Sequence, residues 1–341
     1  MSAFRVAAGA LLALLGAAQA AEPPAAQPRP AEPARLAARS LLIAIAAAGE
    51  RLVAVGDRGI IVLSDDHGAS WTQAAVVPVQ ALLTGVCFLD AAHGVAVGHD
   101  EVILATADAG RTWKLTHYAP EAERPLLDVW CGAGGRVIAV GAYSTYLTSG
   151  DGGLTFTAGS FTPAARPAAK AAQGAGRAGA GEGAAGGGYH LNRIVGDGAR
   201  GLYIAAEAGH LYRSEDGGLS WQELASPYEG SFFDVLPLPG QALLAFGLRG
   251  NLYRSEDAGA SWRRLETGTV AMLDGGVALE GGAVAIVGLS GAVLVSRDGG
   301  RSFALEQQSD RSGLSGAVAA GAQRLAAVGE SGARLISMAA H

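Results

Sequence analysis

The residues best suited to acid–base or metal chemistry are few and scattered. His99, Asp100 and Glu101 adjoin one another, and Glu207 stands three positions before His210. Paired carboxylates across a cleft can hydrolyse a glycosidic bond, and an imidazole beside a carboxylate can move a proton. These groups lie far apart along the chain, however, and nothing in the sequence brings any pair together. His99 and His210 lack the local spacing of a metal site, and the seven histidines form no cluster. There is no glycine-rich phosphate loop, nucleophile elbow or thiol–imidazole signature. The sequence therefore predicts no catalytic residue, no metal and no cofactor.

The elements that would have to position such groups are set by a repeat. Its tails read Ser64-Asp-Asp66-His-Gly68-Ala-Ser70-Trp71, Thr106-Ala-Asp108-Ala-Gly110-Arg-Thr112-Trp113 and Ser149-Gly-Asp151-Gly-Gly153-Leu-Thr155-Phe156. Three more follow, centred on Asp216, Asp257 and Asp298 and ending in Trp221, Trp262 and Phe303. The aspartates are spaced by 42, 43, 65, 41 and 41 residues. A period near 42 is one four-stranded blade of a β-propeller. The tails resemble the Asp-box, or BNR, repeat, in which the aspartate accepts turn N–H groups and glycine takes a positive φ. The aromatic ring is expected between blades, so Asp66, Asp108, Asp151, Asp216, Asp257 and Asp298 are read as structural. A seventh copy, Leu325 to Ser337, stops before its aspartate. The expectation is an all-β, seven-bladed propeller whose last blade is completed by an N-terminal strand from Arg35–Ser40, removing a free edge at the seam.

In such a ring the turns joining second to third strands lie on the face opposite the aspartate turns. They are the least uniform part of the repeat, and loops on a rigid scaffold carry function. The candidate partner-binding residues on that face are Asp57, Arg58, His99, Asp100, Glu101, Tyr143, Glu207, His210, Arg249, Asn251 and Glu330. A sialidase reading fails, because Asn192-Arg193-Ile194 is followed by Val195 rather than the proline of an Arg-Ile-Pro motif.

Composition agrees with a large core cut by turns: half the residues are apolar, 16% are charged and 51 are glycine. A net charge of −6 argues against nucleic acid as a partner. The apolar run from Val6 to Ala18, followed by Ala18-Gln19-Ala20, reads as a secretory signal cut after Ala20. Residues 21–35 hold five prolines and read as a linker. The propeller is expected over 36–341, monomeric, periplasmic or secreted, with no stable membrane insertion once the signal is removed. The long spacing places a flexible Ala/Gly-rich insertion at about 161–188. Cys87 and Cys131, aligned on Gly98 and Gly141, fall at opposite parity in adjacent inner strands, which favours two buried free thiols over a disulfide.

Two further strings complete the pattern: Leu127-Asp128-Val129 with Ala139-Val140-Gly141, and Phe233-Asp234-Val235 with Ala245-Phe246-Gly247. With them, residues 36–338 resemble the photosystem II stability and assembly factor family. That resemblance implies a seven-bladed, non-catalytic chaperone holding a partner polypeptide on an arginine-bearing surface. Arg58 and Arg249 are the arginines in the turns of that face. The Ala-rich signal, proline linker and Ala/Gly insertion point to a non-photosynthetic bacterial member. The functional expectation is a periplasmic binding propeller that assists a membrane protein complex or transporter. The alternative is a carbohydrate-active Asp-box enzyme or glycan-binding propeller.

Overall fold

The computed structural model describes residues 28–165, 188–198, 201–321 and 323–338. The expected signal, the start of the linker and most of the Ala/Gly insertion lie outside them. Seven antiparallel sheets follow one another along the chain, six of four strands and a last one of three. Their inner strands are Leu42–Ala48, Leu83–Phe88, Leu126–Cys131, Leu191–Gly196, Phe232–Pro237, Leu273–Ala278 and Leu314–Ala319. These strands neighbour one another around a ring, and the first packs against the last. The molecule is a seven-bladed β-propeller.

Each blade is sandwiched between two others, so its middle strands are covered on both faces. That is why second strands such as Gly94–Gly98 and Val137–Gly141 are short unbroken runs of small β-branched residues and alanine, buried at every position. The outer strands touch less of the ring. Thr157–Ala158 is wholly exposed and only two residues long.

The aspartate turns form as the motif requires. Asp66 Oδ1 accepts the Ser70 N–H and the Ser64 hydroxyl, each at 2.8 Å, while Oδ2 accepts the Ser70 hydroxyl at 2.6 Å. The Ser70 hydroxyl and amide, joined by Ser64, hold this carboxyl at a pKa of about 2. The same bonds recur at the other five copies. At Gly218 (φ +88°) a Cβ would sit 2.6 Å from Ile138 Cδ1 in the preceding blade, so the turn is both left-handed and packed against its neighbour. Trp113 and Trp221 are buried. The insertion does not begin loosely, because Phe161 packs against Tyr146, Tyr212 and Trp221, and Ala164 pairs with Gln222.

The ring closes differently from the expectation. Arg35–Ser40 supplies no fourth strand to blade seven. Ala37–Arg39 forms a turn of 3-10 helix, with Ala38 and Arg39 packed on Gly332 of the third strand. Closure is by side chains: Leu52 and Trp71 of blade one meet Val318, Ala326 and Leu335 of blade seven. The Ser315 hydroxyl also donates to the Leu42 carbonyl at 2.9 Å. A buried apolar seam holds without strand exchange because blades stack through their faces, not their edges.

The free-thiol expectation is also overturned. Cys87 and Cys131 form a disulfide, with Cα atoms 5.6 Å apart. Leu83 pairs with Gly98 and Leu126 with Gly141, so the two strands are equivalent. Cys87 lies four residues after its leucine and Cys131 five, which places them on opposite faces of their own blades. Adjacent blades are stacked, and the surfaces that meet are the rear of one and the front of the next. Opposite parity is therefore what brings the sulfurs together. The bridge closes a 44-residue separation, for which chain entropy alone gives about 4 kcal/mol. We expect Cys87→Ala/Cys131→Ala to lower unfolding free energy by roughly 2–4 kcal/mol in urea denaturation. The unreduced parent, unfolded, should show no thiol that can be alkylated.

Candidate functional site

The turns between second and third strands share one backbone solution in six blades. Arg58, Asp100, Tyr143, Ala208, Arg249 and Ser290 occupy the same place, each left-handed with φ between 50° and 61°. A non-glycine residue costs roughly 1–2 kcal/mol there. Glycine would relieve that cost, yet side chains of five different kinds stand at the six tips of a rigid ring. Arg58, Asp100, Tyr143 and Arg249 are all exposed.

The other candidates play several different parts. Asn251 donates from Nδ2 to the Leu248 carbonyl within its own turn, and the Glu330 carboxylate accepts the Gly313 N–H. Asp57 pairs with Arg58 at 3.2 Å, while His99 is exposed beside Asp100. Glu101 is buried and left-handed, 3.1 Å from His117 Nε2 and 2.9 Å from Arg124 Nε. It pins the connection to the next blade. His210 bonds Glu223 at 2.9 Å and lies against the Tyr189 ring. The arginine count of this face was underestimated from sequence, because Arg124 and Arg311 enter on connections between blades.

Tyr143 and Glu207 do converge. With Tyr189, His190 and Glu229 they line a cleft of about 490 Å³ between blades three, four and five. Glu207 Oε2 accepts the His190 N–H at 2.9 Å, its Oε1 is 3.4 Å from His190 Nδ1, and the His190 ring meets Tyr143 edge-on at 5.0 Å. Tyr143 is 54% exposed. Glu229 is exposed and has no hydrogen-bond or ion-pair partner among the described residues. The cleft thus offers aromatic faces, a fixed carboxylate and a free one.

A second cluster, not picked out as a site from sequence, lies on the inner strands. Arg193 Nε is 3.5 Å from Asp128 and 3.6 Å from Asp234, on inner strands of the blades either side. Burial pushes the Asp128 carboxyl up, against Arg193 and the Ile194 and Val129 N–H groups. It pushes Asp234 up to about 6 and Asp274 up to about 7, with Arg193 opposing in both cases. The signal was present in the two hydrophobic-Asp-Val strings, but alignment of blade four, where arginine takes the equivalent place, was needed to read it. These groups lock blades together: Asp128 accepts the Ile194 N–H and Asp234 the Gly276 N–H, each at 2.9 Å. Among the described residues no group of three or more His, Cys, Asp or Glu is placed to hold a metal ion.

Asp274 occupies the inner-strand place from which Thr84, Asn192 and Ser315 donate to a carbonyl of the next blade. Only a protonated carboxyl has a hydrogen to offer there. Its folded pKa is raised, so the fold binds a proton that the unfolded chain releases near pH 4, and stability falls as pH rises from there through about 7. Asp274→Asn should remove this loss. Its melting temperature should match the parent near pH 4, rise above it toward pH 7 and hold a constant lead beyond, as thermal melts across that range will show.

No protein-family model matches the chain, and no curated protein does. Among solved structures it is similar to one described as YCF48 bound to D1 peptide, over 92% of this chain and 100% of that one, with TM-score 0.68 and 14% identity. YCF48 from Cyanidioschyzon merolae is similar over 90% and 97%, with TM-score 0.67 and 15% identity. The GH74 xyloglucanase from Xanthomonas campestris is similar over 87% of this chain and 52% of its own, with TM-score 0.66 and 13% identity. At such identities the likeness is one of fold, and this fold serves both a peptide-bound protein and a glycosidase.

Proposed function

We propose that this chain is a non-catalytic binding propeller that holds a segment of a protein partner on its turn face, acting as an assembly or accessory factor for a complex of the cell envelope. The observation that carries the reading is the row of six turn tips. Strained backbone positions bear arginine, tyrosine and aspartate where glycine would cost less, and such outliers point to function. The aromatic cleft beside Tyr143 supplies an anchor of the kind that dominates protein interfaces. The neighbour described as bound to a peptide supports a polypeptide partner. The apolar N-terminal run and the disulfide support an oxidising compartment such as the periplasm.

One observation favours the carbohydrate reading: Glu207 and Glu229 share a cleft with two tyrosines. The readings separate in one set of variants. A photo-crosslinking residue at position 143 or 249 should trap the same envelope protein in cells, and one at position 219, on the aspartate-turn face, should not. Tyr143→Ala should weaken that capture about tenfold or more, the usual cost of losing a buried aromatic anchor. Equal labelling from all three positions overturns the proposal. Hydrolysis of xyloglucan oligosaccharides that is lost in Glu229→Gln replaces it with the enzyme.

A further inference from the structure

The linker does not end as a free tether. Residues 28–34 run across the turn face between blades one and two, with no helix or strand of their own. The Ala31 N–H donates to the Val77 carbonyl at 2.9 Å. Gln73 grips the backbone twice: its Nε2 donates to the Glu32 carbonyl at 2.9 Å and its Oε1 accepts the Ala34 N–H at 2.8 Å. Gln80 Nε2 donates to the Pro30 carbonyl at 2.9 Å. Ala31 packs on the apolar cluster that contains Val77 and Val79.

The chemistry of this contact is that of a peptide groove. Every hydrogen bond goes to main chain, so the groove reads backbone shape before side-chain identity. The N–H groups it uses belong to Ala31 and Ala34, while Pro30 and Pro33, which have none, precede them. Prolines three apart hold a chain extended before it binds and so lower the entropy lost on docking. The residue after the first proline faces the blade, with the Ala31 Cβ close to Gly59, where a small side chain fits. The segment starts beside Asp100 and Tyr118 and finishes beside Asp57 and Arg58; Asp100 and Arg58 are two of the turn tips.

We propose that the cleft between blades one and two is a binding groove for extended peptides of the form Pro-small-x-Pro, occupied in cis by residues 28–34. The chain's own segment is a competitor tethered at high effective concentration, and a partner presenting the same pattern must displace it. Docking by a few surface hydrogen bonds suits such exchange, since local opening is easy where little apolar area is buried.

The test uses the full chain and a labelled synthetic peptide, Pro-Arg-Pro-Ala-Glu-Pro-Ala-Arg. Ala31→Trp should eject the cis segment and leave the groove intact, so this variant should bind the peptide about tenfold or more tighter than the parent. Adding Gln73→Ala should abolish that gain, as should moving the prolines within the peptide. In the unmodified chain the amides of Ala31 and Ala34 should exchange with deuterium more slowly than an unstructured reference, a readout that needs no variant. Equal binding by parent and Ala31→Trp, or exchange of both amides at the unstructured rate, overturns the proposal. Neither readout involves an envelope partner, so failure here leaves the proposed function standing.

Discussion

Closing seven separate sheets into a ring is the constraint on which the rest of this structure depends, and one interaction recurs wherever it is met. Every inner strand carries a bulge near its start, visible as a register shift between positions such as Leu83 and Gly85 or Leu126 and Asp128. A bulge bends the strand toward the axis and leaves main-chain groups out of the ladder. Unpaired, those groups would be costly to bury. In five of the seven junctions a polar side chain of one inner strand pairs with a main-chain group of the next inner strand. Thr84, Asn192 and Ser315 donate to the carbonyls of Leu126, Phe232 and Leu42, while Asp128 and Asp234 accept from Ile194 and Gly276. These pairs fasten each inner strand to the next.

This arrangement accounts for the charges carried by the inner strands. Asp128 and Asp234 are structural acceptors, and Arg193 offsets their crowding from the strand between them. Asp274 is the exception, a carboxyl placed where its counterparts are donors. Its raised pKa is the expected response of an acid in a donor's position. The turn face is built differently. There the same ring geometry presents side chains of different kinds from equivalent points.

Stacking also decides which parts of the chain can be read separately. The disulfide, the seam between blades one and seven, and the groove that holds residues 28–34 all lie between neighbours. None belongs to a single repeat. The proline-rich segment looks in isolation like a spacer, since nothing in it is amphipathic. It docks because Gln73, in the outer strand of blade one, and Gln80, in the connection that follows, pair with its main chain.

By itself the sequence determined the blade count, the aspartate turns and the identity of the face that varies. These are properties of a local repeat, fixed by turn chemistry and by which strands are covered on both sides. Tertiary structure alone decided that Cys87 meets Cys131, that Arg35–Ser40 turns instead of pairing, that Tyr143 and Glu207 share a cleft while His99 does not, and that Arg193 stands between two aspartates. Each depends on how one blade is set against the next. Parity along a strand says which face a residue takes, and only the stacking of blades says which face it will meet.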